Sequence, residues 1–419
     1  GGNSGRDSSG ENTMHLVGTG RPTAFVRAAA AAAAALTVIC STTAAAAPRA
    51  PAGHGHTQAA LNALHQAGMS GVAAEAETAE GRWFGSAGYA DTATRRERTP
   101  EDHLRAGSIT KTFISVVLLQ LEAEGRLSLD DSVERWLPGV LRGNGYDGNK
   151  VSIRQLLNHT SGIHDMVSTP EWRDYMNGPG FLAHRYETRT PQQIIDMGLK
   201  YKPDFEPGKG WNYSNTNFVL AGLVITKVTG KSYAQEAEQR IIKALGLTET
   251  HFPGTDPKMP APHAIGYSKL YAENPGPEIY DATEYNPAWS GATGEVISTT
   301  GDLNRFYQAL LQGKLLPTAQ QNELLATVKT GTFYDYGLAL VVRTLSCGVK
   351  VYGHDGIVWG SLTSAATTRD GKHSLTFHLN SDWLADGTLY DNVFEAEFCS
   401  KPTLAKPMKG LDRDVHPAR

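Results

Sequence analysis

Residues 107–125 read GSITKTFISVVLLQLEAEG and predict one amphipathic helix from Ser108 to Glu124. Apolar side chains recur there at the three- and four-residue spacing of a helix face, namely Ile109, Phe113, Val116, Val117 and Leu121. Gly125 supplies a signal for the helix to stop. Strand-like and helical segments are distributed unevenly along the rest of the chain, and their distribution predicts the fold.

Sheet-forming sequence lies near both ends of the chain, and helical sequence lies between. Alternating or apolar runs predict strands at Gly71–Ala76, Trp83–Tyr89, Tyr336–Val342, Lys350–Gly353, Ser361–Thr368 and Ser374–Leu379. Further helices are predicted at Gln58–Gln66, Ser152–Asn158, Pro191–Lys200, Asn217–Val228, Tyr233–Ala244, Asp302–Gln312, Ala319–Ala326 and Leu389–Phe398. We expect an α/β domain with an antiparallel sheet flanked by helices, formed by residues 58–130 and 291–400, with a mainly helical region, residues 131–290, inserted.

The ends of the chain are predicted to lie outside this fold. Residues 1–47 combine upstream sequence with a secretory signal, in which an apolar run from Ala28 to Cys40 precedes small residues and Pro48. That run is shorter than the roughly 20 residues that span a bilayer, so a cleaved signal is favoured over a membrane anchor. Ile39 before Cys40 argues against lipid attachment. Residues 48–57 predict a flexible leader and residues 401–419 a loosely held tail, so we expect a secreted protein.

Composition and cysteine usage narrow the function classes. The formal net charge of -4, without a basic stripe, gives no reason to expect a nucleic-acid partner. Removal of the signal leaves Cys347 and Cys399, for which a disulfide is the default in an oxidising compartment and two buried thiols are the alternative. His159 and His164 lack metal-ligand spacing, so His159 is interpreted as a structural loop residue and no metal is expected.

The first turn of the long helix carries a Ser-x-x-Lys pattern. Ser108 and Lys111 lie three residues apart and therefore share a helix face. A serine hydroxyl needs an adjacent base to become a good nucleophile, and a lysine serves as that base where burial lowers its pKa. The helix start also favours negative charge on the serine oxygen. Alone, the pattern fits a capping serine beside a solvated lysine equally well.

Two further elements carry matching chemistry. Tyr213-Ser214-Asn215 lies on a loop at a predicted helix start, where a phenol can move protons and an amide can bond both a lysine and a substrate. His354-Asp355-Gly356 follows a predicted strand, and its glycine lets a substrate backbone approach the strand edge. The same patterns occur elsewhere with less suitable surroundings, at Tyr175-Met176-Asn177, Tyr390-Asp391-Asn392 and Lys329-Thr330-Gly331.

Taken in this order, the three elements resemble the serine penicillin-recognising superfamily, which includes DD-peptidases and class C β-lactamases. From about Gln58 to Leu404 the chain is similar to secreted Streptomyces-type DD-carboxypeptidases and their D-amino-acid peptidase and amidase relatives. The resemblance implies that Ser108 is the nucleophile, that Lys111 and Tyr213 are the bases, and that His354 is the third-motif residue. It implies that Asn215 and Gly356 contact the substrate. The oxyanion hole would consist of the backbone N–H groups of Ser108 and Ile357.

The resemblance carries two further implications. It implies a disulfide between Cys347 and Cys399, whose spacing is similar to that of the related enzymes. It also places an aromatic residue, Trp289, near the substrate cleft, although packing in the core is an equally good interpretation of a lone tryptophan.

Three positions depart from the carboxypeptidase pattern. The resemblance implies a carboxylate-binding arginine where this chain has Val341, and threonines where it has Asp355 and Ile357. Arg343 lies two residues further along the same strand face and is an alternative to that arginine. An aspartate repels a bound carboxylate, so Asp355 favours a substrate amine or a neutral leaving group, unless its side chain points to solvent.

These departures predict a D-stereospecific serine amidohydrolase or peptidase that acts on D-aminoacyl amides, esters or peptides, with aminolysis as a side reaction. The alternatives are a D-alanyl-D-alanine carboxypeptidase, a β-lactamase, and a binding module that penicillin acylates without turnover. No cofactor is expected. The expected partner is a small or peptide substrate that contains D-amino acids, and the protein is expected to be a monomer without a stable membrane anchor.

Overall fold

The structure is a computed structural model that describes residues 53–384, 386–402 and 404. The predicted signal within residues 1–47 and most of the predicted tail lie outside these residues. The described helices are α1 (Gly55–Gln66), α2 (Thr110–Ala123), α3 (Val133–Trp136), α4 (Ile153–Leu157), α5 (Pro170–Met176), α6 (Pro179–His184), α7 (Pro191–Leu199), α8 (Asn215–Thr229), α9 (Tyr233–Ala237), α10 (Lys243–Leu245), α11 (Thr300–Leu311), α12 (Thr318–Leu325) and α13 (Gly387–Phe398).

The strands differ in length, from two-residue segments to one of nine residues. The described strands are β1 (Gly71–Thr78), β2 (Gly81–Gly88), β3 (Leu104–Arg105), β4 (Arg142–Gly143), β5 (Tyr146–Asp147), β6 (Tyr267–Ser268), β7 (Tyr280–Asp281), β8 (Ile297–Ser298), β9 (Val328–Lys329), β10 (Tyr334–Tyr336), β11 (Val341–Thr344), β12 (Lys350–Val358), β13 (Ser361–Thr368) and β14 (Ser374–Leu379). Three small two-stranded pairs form between β3 and β8, β4 and β5, and β6 and β7.

One large antiparallel sheet organises the molecule. Its order is β2-β1-β14-β13-β12-β11-β10-β9, so strands from both ends of the described chain meet at the contact between β1 and β14. Helices α1 and α13 lie on one face, where they pack over a core that includes Phe377 and Phe394, and α11 lies on the other. The central strand β14 is buried along its whole length because both faces are covered. This confirms the predicted α/β fold with an antiparallel sheet flanked by helices.

Helix α2 lies in the middle of the larger core. Nearly all of its residues are buried, including its polar residues Lys111, Thr112 and Ser115, so it is enclosed on every side rather than on one apolar face. Its buried hydroxyls are satisfied by the segment between β10 and β11: Thr112 donates to the carbonyl of Ala339 at 2.8 Å, and Ser115 donates to that of Leu338 at 2.7 Å. The start of α2 is therefore held rigidly against the sheet.

Several predicted boundaries need correction. The leader predicted at residues 48–57 is wrong at its end, because α1 already begins at Gly55. The strand predicted at Tyr336–Val342 is a tight hairpin in which Tyr336 pairs with Val341, and Ala339 in the turn has a φ of 57°. The helix predicted at Tyr233–Ala244 is interrupted by a π-helical turn. These irregularities arise from tertiary packing, which sequence periodicity does not report.

The correction at β12 matters most for the site. The strand predicted at Lys350–Gly353 continues to Val358, so His354 and its two successors lie within a strand rather than after one. Pairing with β11 stops at Gly353, whereas pairing with β13 continues to Val358. Among the described residues, no strand lies beside the outer edge from His354 onward. That edge faces the start of α2.

A disulfide joins Cys347, in the turn after β11, to Cys399 at the end of α13. It ties the last helix to the hairpin that leads into β12. Among the residues that the structure describes, no helix combines the length and apolar character needed to cross a membrane.

Candidate active site

Ser108 lies in a 3-10 turn, Gly107–Ile109, that leads directly into α2, and it is fully buried. Gly107 has a φ of +55°, and a Cβ atom there would lie 2.9 Å from the backbone nitrogen of Ile357. A Cβ at Gly356 would lie only 1.8 Å from the carbonyl oxygen of Ala106. Glycine at both positions therefore lets the nucleophile turn touch the open edge of β12.

The amine of Lys111 has three hydrogen-bond partners. It lies 2.7 Å from the Ser108 hydroxyl, 2.8 Å from Asn215 Oδ1 and 2.8 Å from the carbonyl oxygen of Thr293. Its nitrogen also lies over the Tyr213 ring, 4.9 Å from the ring centre. The sequence analysis predicted the contacts with Ser108 and Asn215. The contact with a backbone carbonyl of Thr293 had no sequence signal.

Burial sets the protonation states of the two predicted bases. It lowers the pKa of Lys111 well below the usual range, although the charge of Asp165 opposes this effect. The same burial raises the pKa of Tyr213 well above 10, and the nearby Ser108 hydroxyl opposes that rise. A neutral amine and a neutral phenol are therefore favoured together. In these states the Lys111 amine can accept a proton and the Tyr213 hydroxyl can donate one.

His159 holds the Tyr213 loop from behind. It has a φ of 64°, and its ring packs against Tyr213 with 4.2 Å between ring centres. Its Nδ1 accepts hydrogen bonds from the backbone N–H of Ser214 and the amide of Asn217, both at 3.1 Å. Burial lowers the pKa of His159 well below 6.5, so the ring is neutral. This arrangement is consistent with the predicted structural role.

His354 lies beside the site with both ring nitrogens occupied. Nδ1 donates to the carbonyl oxygen of Asp355 at 2.7 Å, which leaves Nε2 to accept from the Tyr336 hydroxyl at 2.8 Å. Burial lowers the pKa of His354 to about 3. Its ring centre is 6.4 Å from that of Tyr213. A direct part in proton transfer is not supported by this geometry, and a catalytic role for His354 stays a prediction.

The two faces of β12 differ in chemistry. His354 and Gly356 lie on one face, which we call the Ser108 face because Gly356 packs against Ala106 and the Ser108 nitrogen. Asp355 lies on the opposite face, which we call the α13 face. There it pairs with Arg343 and accepts from Ser364, whose hydroxyl also bonds Tyr390 of α13.

This placement corrects two expectations for Asp355. Its side chain is only 12% exposed, so the alternative in which it points to solvent is wrong. It is committed to Arg343, so neither group is free in the way the sequence analysis assumed: Arg343 is not an unpaired substitute cation and Asp355 is not an unpaired anion. Burial lowers the pKa of the Arg343 guanidinium, but the charges of Asp355 and Asp391 and the hydrogen bond to Asp355 together outweigh burial and leave the pKa raised. A substrate contact by Asp355 stays a prediction.

Trp289 lies in a fully buried aromatic cluster. Its ring contacts Trp172 and Tyr175, and the Arg189 guanidinium lies 4.8 Å from its centre. This placement fits the core-packing interpretation of Trp289 better than a position in the cleft.

The rival motifs lie elsewhere. Lys329 lies on the edge strand β9 with its side chain 89% exposed, and it pairs with Asp335. Tyr175 packs in the aromatic cluster, and Tyr390 lies on α13, beyond the α13 face of β12. Of the matching patterns, the structure brings only Tyr213-Ser214-Asn215 and His354-Asp355-Gly356 to Ser108.

Two site residues were missed by sequence reasoning. Asp165 holds Asn215, and Tyr336 holds His354. Asp165 lies outside the three sequence elements and has no motif of its own, and Tyr336 lies in a segment interpreted only as a strand. Within the described part of the chain, no three His, Cys, Asp or Glu side chains cluster as metal ligands would.

Comparison with known proteins agrees with this geometry. The profile of the Beta-lactamase family matches residues 51–398. Penicillin-binding protein 4* of Bacillus subtilis is 30% identical over 337 residues, which are 77% of this chain and 70% of that protein.

Solved structures give a finer match. A D-stereospecific amidohydrolase from Streptomyces sp. is 50% identical with a TM-score of 0.78, covering 83% of this chain and 99% of that one. D-amino acid amidase from Ochrobactrum anthropi SV3 is 27% identical with a TM-score of 0.70, covering 82% and 97%. These findings confirm the resemblance to the serine penicillin-recognising superfamily. The chain belongs to the Beta-lactamase family and is a serine hydrolase.

Proposed function

We propose that this protein is a D-stereospecific amidohydrolase that forms an acyl-enzyme on Ser108 and acts on D-aminoacyl amides, esters or peptides. The observation that carries the mechanism is the 2.7 Å contact between the buried amine of Lys111 and the Ser108 hydroxyl. The 50% identity to a Streptomyces enzyme described as a D-stereospecific amidohydrolase supports the substrate class.

Acylation follows from the resting protonation states. Ser108 Oγ attacks the substrate carbonyl carbon while its proton moves to the neutral amine of Lys111. The N–H groups of Ser108 and Ile357 bind the developing oxyanion. The C–N bond then breaks as Tyr213 donates its proton to the leaving nitrogen, and Lys111 returns a proton to Tyr213. The products of this step are an acyl ester on Ser108 and a free amine.

Deacylation reverses the proton movements with water as the nucleophile. Water attacks the carbonyl carbon of the ester, and its proton passes to Lys111. The bond between that carbon and Ser108 Oγ then breaks, Ser108 takes up a proton to regain its hydroxyl, and the acid product is released. An amine in place of water forms a new amide, so we propose aminolysis as a side reaction.

The preference for an amide over a terminal carboxylate rests on the ion pair beneath β12. A site for a free carboxylate needs an unpaired cation, and Arg343 is paired with Asp355 on the α13 face. The backbone edge of β12 remains available to an extended substrate through main-chain hydrogen bonds. A leaving group without negative charge is therefore favoured.

A direct comparison of substrates tests this proposal. Hydrolysis of D-phenylalanine amide, L-phenylalanine amide and a peptide ending in D-Ala-D-Ala is measured with the purified protein, with Ser108→Ala as the inactive control. We expect kcat/KM for the D-amide to exceed the other two, and mass spectrometry to detect an acyl adduct that Ser108→Ala lacks. Faster hydrolysis of the L-amide, or an adduct on another residue, would contradict the proposal.

The second candidate is a D-alanyl-D-alanine carboxypeptidase, which the relation to Penicillin-binding protein 4* favours. Preferential cleavage of the peptide with the free carboxylate would select it, and rapid turnover of a cephalosporin would select a β-lactamase. We also propose that the enzyme is secreted, because the sequence before Pro48 has the layout of an export signal. Comparing enzyme in culture medium and cell extract tests this point.

A further inference from the structure

Asp165 holds Asn215 through three contacts from one buried carboxylate. Its Oδ1 accepts from the backbone N–H of Asn215 at 3.0 Å and from the side-chain amide at 3.2 Å, while Oδ2 lies 3.3 Å from the same amide nitrogen. Oδ1 also accepts from the N–H of Val167, so the carboxylate is fixed by the 3-10 turn that it caps. Asp165 is 2% exposed.

These contacts decide which way the Asn215 amide faces. A carboxylate accepts hydrogen bonds and cannot donate them, so it selects the amide nitrogen as its neighbour. The opposite end of the amide, Oδ1, is then turned toward Lys111, where it lies 2.8 Å from the amine. Without the carboxylate, nothing in this contact would favour one amide orientation over the other.

The amide orientation in turn directs the Lys111 lone pair. A neutral amine has two N–H bonds and one lone pair. If Asn215 Oδ1 and the Thr293 carbonyl accept the two N–H bonds, the lone pair is left for the Ser108 proton. A flipped amide would present N–H groups to Lys111 and compete with Ser108 for that lone pair.

We propose that Asp165 is a positioning residue for acylation, which orients Asn215 so that the lone pair of Lys111 faces Ser108. This inference rests on the proposed mechanism but not on the proposed substrate. In this scheme Asp165 acts on Lys111 through Asn215.

Asp165 also affects the charge balance around Lys111. Asp165, His159 and His354 interact electrostatically with Lys111, and Tyr213 lies beside it; Tyr334, Tyr336, Arg343 and Asp355 act in turn on Tyr213 or His354. Burial keeps both histidines and Tyr213 neutral near pH 7, and it raises the pKa of Asp165 to about 6, so of the groups that act on Lys111 Asp165 is the charged one above that pH. Its negative charge raises the pKa of Lys111. Removal of that charge should make Lys111 lose its proton at lower pH.

The test is Asp165→Asn, assayed from pH 6 to 9 with D-phenylalanine amide and with a fluorescent penicillin that acylates serine. We expect kcat/KM and the acylation rate to fall about 10- to 100-fold, because the amide that replaces the carboxylate can donate hydrogen bonds and therefore favours a flipped Asn215. We also expect the acid limb of the pH profile to move roughly 0.5 to 1 unit lower. A residue with only a structural role would lower the rate without moving the limb.

Two further variants separate position from charge. Asp165→Glu keeps the charge but displaces the contacts, so we expect a loss of rate with the acid limb unmoved. In an Asn215→Ala background, Asp165→Asn should cost little further rate, because both changes remove the same contact. Asp302→Asn is the matched control: Asp302 is also buried and also binds a backbone N–H, that of Glu249 at 2.9 Å. It should lower the melting temperature but leave the pH profile unchanged.

The outcomes are distinguishable. Wild-type rate and pH profile in Asp165→Asn would overturn the inference, as would wild-type rate in Asp165→Glu should Asp165→Asn fail to fold. A wild-type protein that neither hydrolyses the amide nor reacts with the penicillin at Ser108 would instead overturn the proposed function.

Discussion

The two faces of β12 divide the work of the site. On the Ser108 face, Gly356 meets the start of α2 and His354 lies beside Tyr213, and in the proposed mechanism the contacts there concern how the serine is made reactive. On the α13 face, one residue away in sequence, Asp355 and Arg343 neutralise each other beneath the last helix. Because alternate residues of a strand point to opposite faces, a single motif can carry both acylation chemistry and substrate preference.

This comparison predicts two classes of variant. Changes on the Ser108 side should lower the rate with every substrate that the enzyme accepts. Changes on the α13 face should alter the ratio between substrates while acylation of Ser108 continues. A variant that lowered every rate and also shifted the ratio between substrates would contradict this division between the two faces.

The largest effect is expected for Lys111→Met, which keeps the length of the side chain but removes the amine. Loss of the base should lower kcat/KM by about 10³-fold or more for amide and ester substrates alike. In the wild type, activity should fall as the pH drops through the lowered pKa of Lys111, since protonation removes the lone pair. The variant should lack that acid limb.

The control for this variant is Lys350→Met, at the exposed start of β12. It should retain wild-type activity and the wild-type acid limb. An unchanged acid limb in Lys111→Met would assign the limb to another group and separate Lys111 from base catalysis.

The second effect is on specificity and concerns Asp355→Thr. Removal of the aspartate leaves the Arg343 charge unpaired on the α13 face, where it attracts a substrate carboxylate across β12, so the ratio of activity on a D-Ala-D-Ala peptide to that on a D-amide should rise about tenfold. Breaking a buried ion pair typically costs about 3–5 kcal/mol, so thermal unfolding is measured alongside the two rates.

The double variant Arg343→Leu with Asp355→Thr tests the reason for the shift. This variant lacks the unpaired cation, so the gain on the carboxylate substrate should disappear. It also leaves no unpaired charge buried at this position. A gain that persists in the double variant would show that the Arg343 charge is not its cause.

A smaller loss of rate is expected for Tyr336→Phe. Nε2 of His354 loses its hydrogen-bond donor, and a lost hydrogen bond of about 1 kcal/mol corresponds to a roughly fivefold lower kcat/KM. The loss should be equal for amide and carboxylate substrates, because His354 lies on the Ser108 face. Tyr334→Phe, on the same strand, is the matched control and should change the rate less than twofold. Unequal losses would place Tyr336 in substrate selection.

The sequence predicted the parts of this molecule that depend on local spacing. Ser108 and Lys111 are one helical turn apart, and helix geometry alone brings them together. The antiparallel sheet and the pattern order also followed from the sequence, through periodicity and through the resemblance. The contact of Lys111 with the Thr293 carbonyl did not, because a backbone carbonyl has no residue signature and the two residues are far apart along the chain.

The face of a side chain was harder to predict than its identity. Asp355 and Arg343 were both noted, but their pairing depends on the strand register. Arg343 of β11 lies opposite Val351 of β12, and β12 also carries Asp355. The predicted end of β12 at Gly353 left Asp355 outside the strand and therefore hid its position relative to Arg343. Asp165 and Tyr336 were missed because each acts on another site residue rather than on the reaction, and neither has a motif of its own.

The smallest effect is expected for Lys329→Ala, which tests whether the third motif was assigned to the correct strand. Lys329-Thr330-Gly331 matches the pattern as well as His354-Asp355-Gly356 does, but the Lys329 side chain is 89% exposed on the far edge strand. Its ion pair with Asp335 contributes little in water. We expect kcat/KM to change less than twofold with either substrate and the melting temperature to stay within error. A loss above tenfold would move the third motif to β9 and remove β12 from the site, together with the contrast between its two faces.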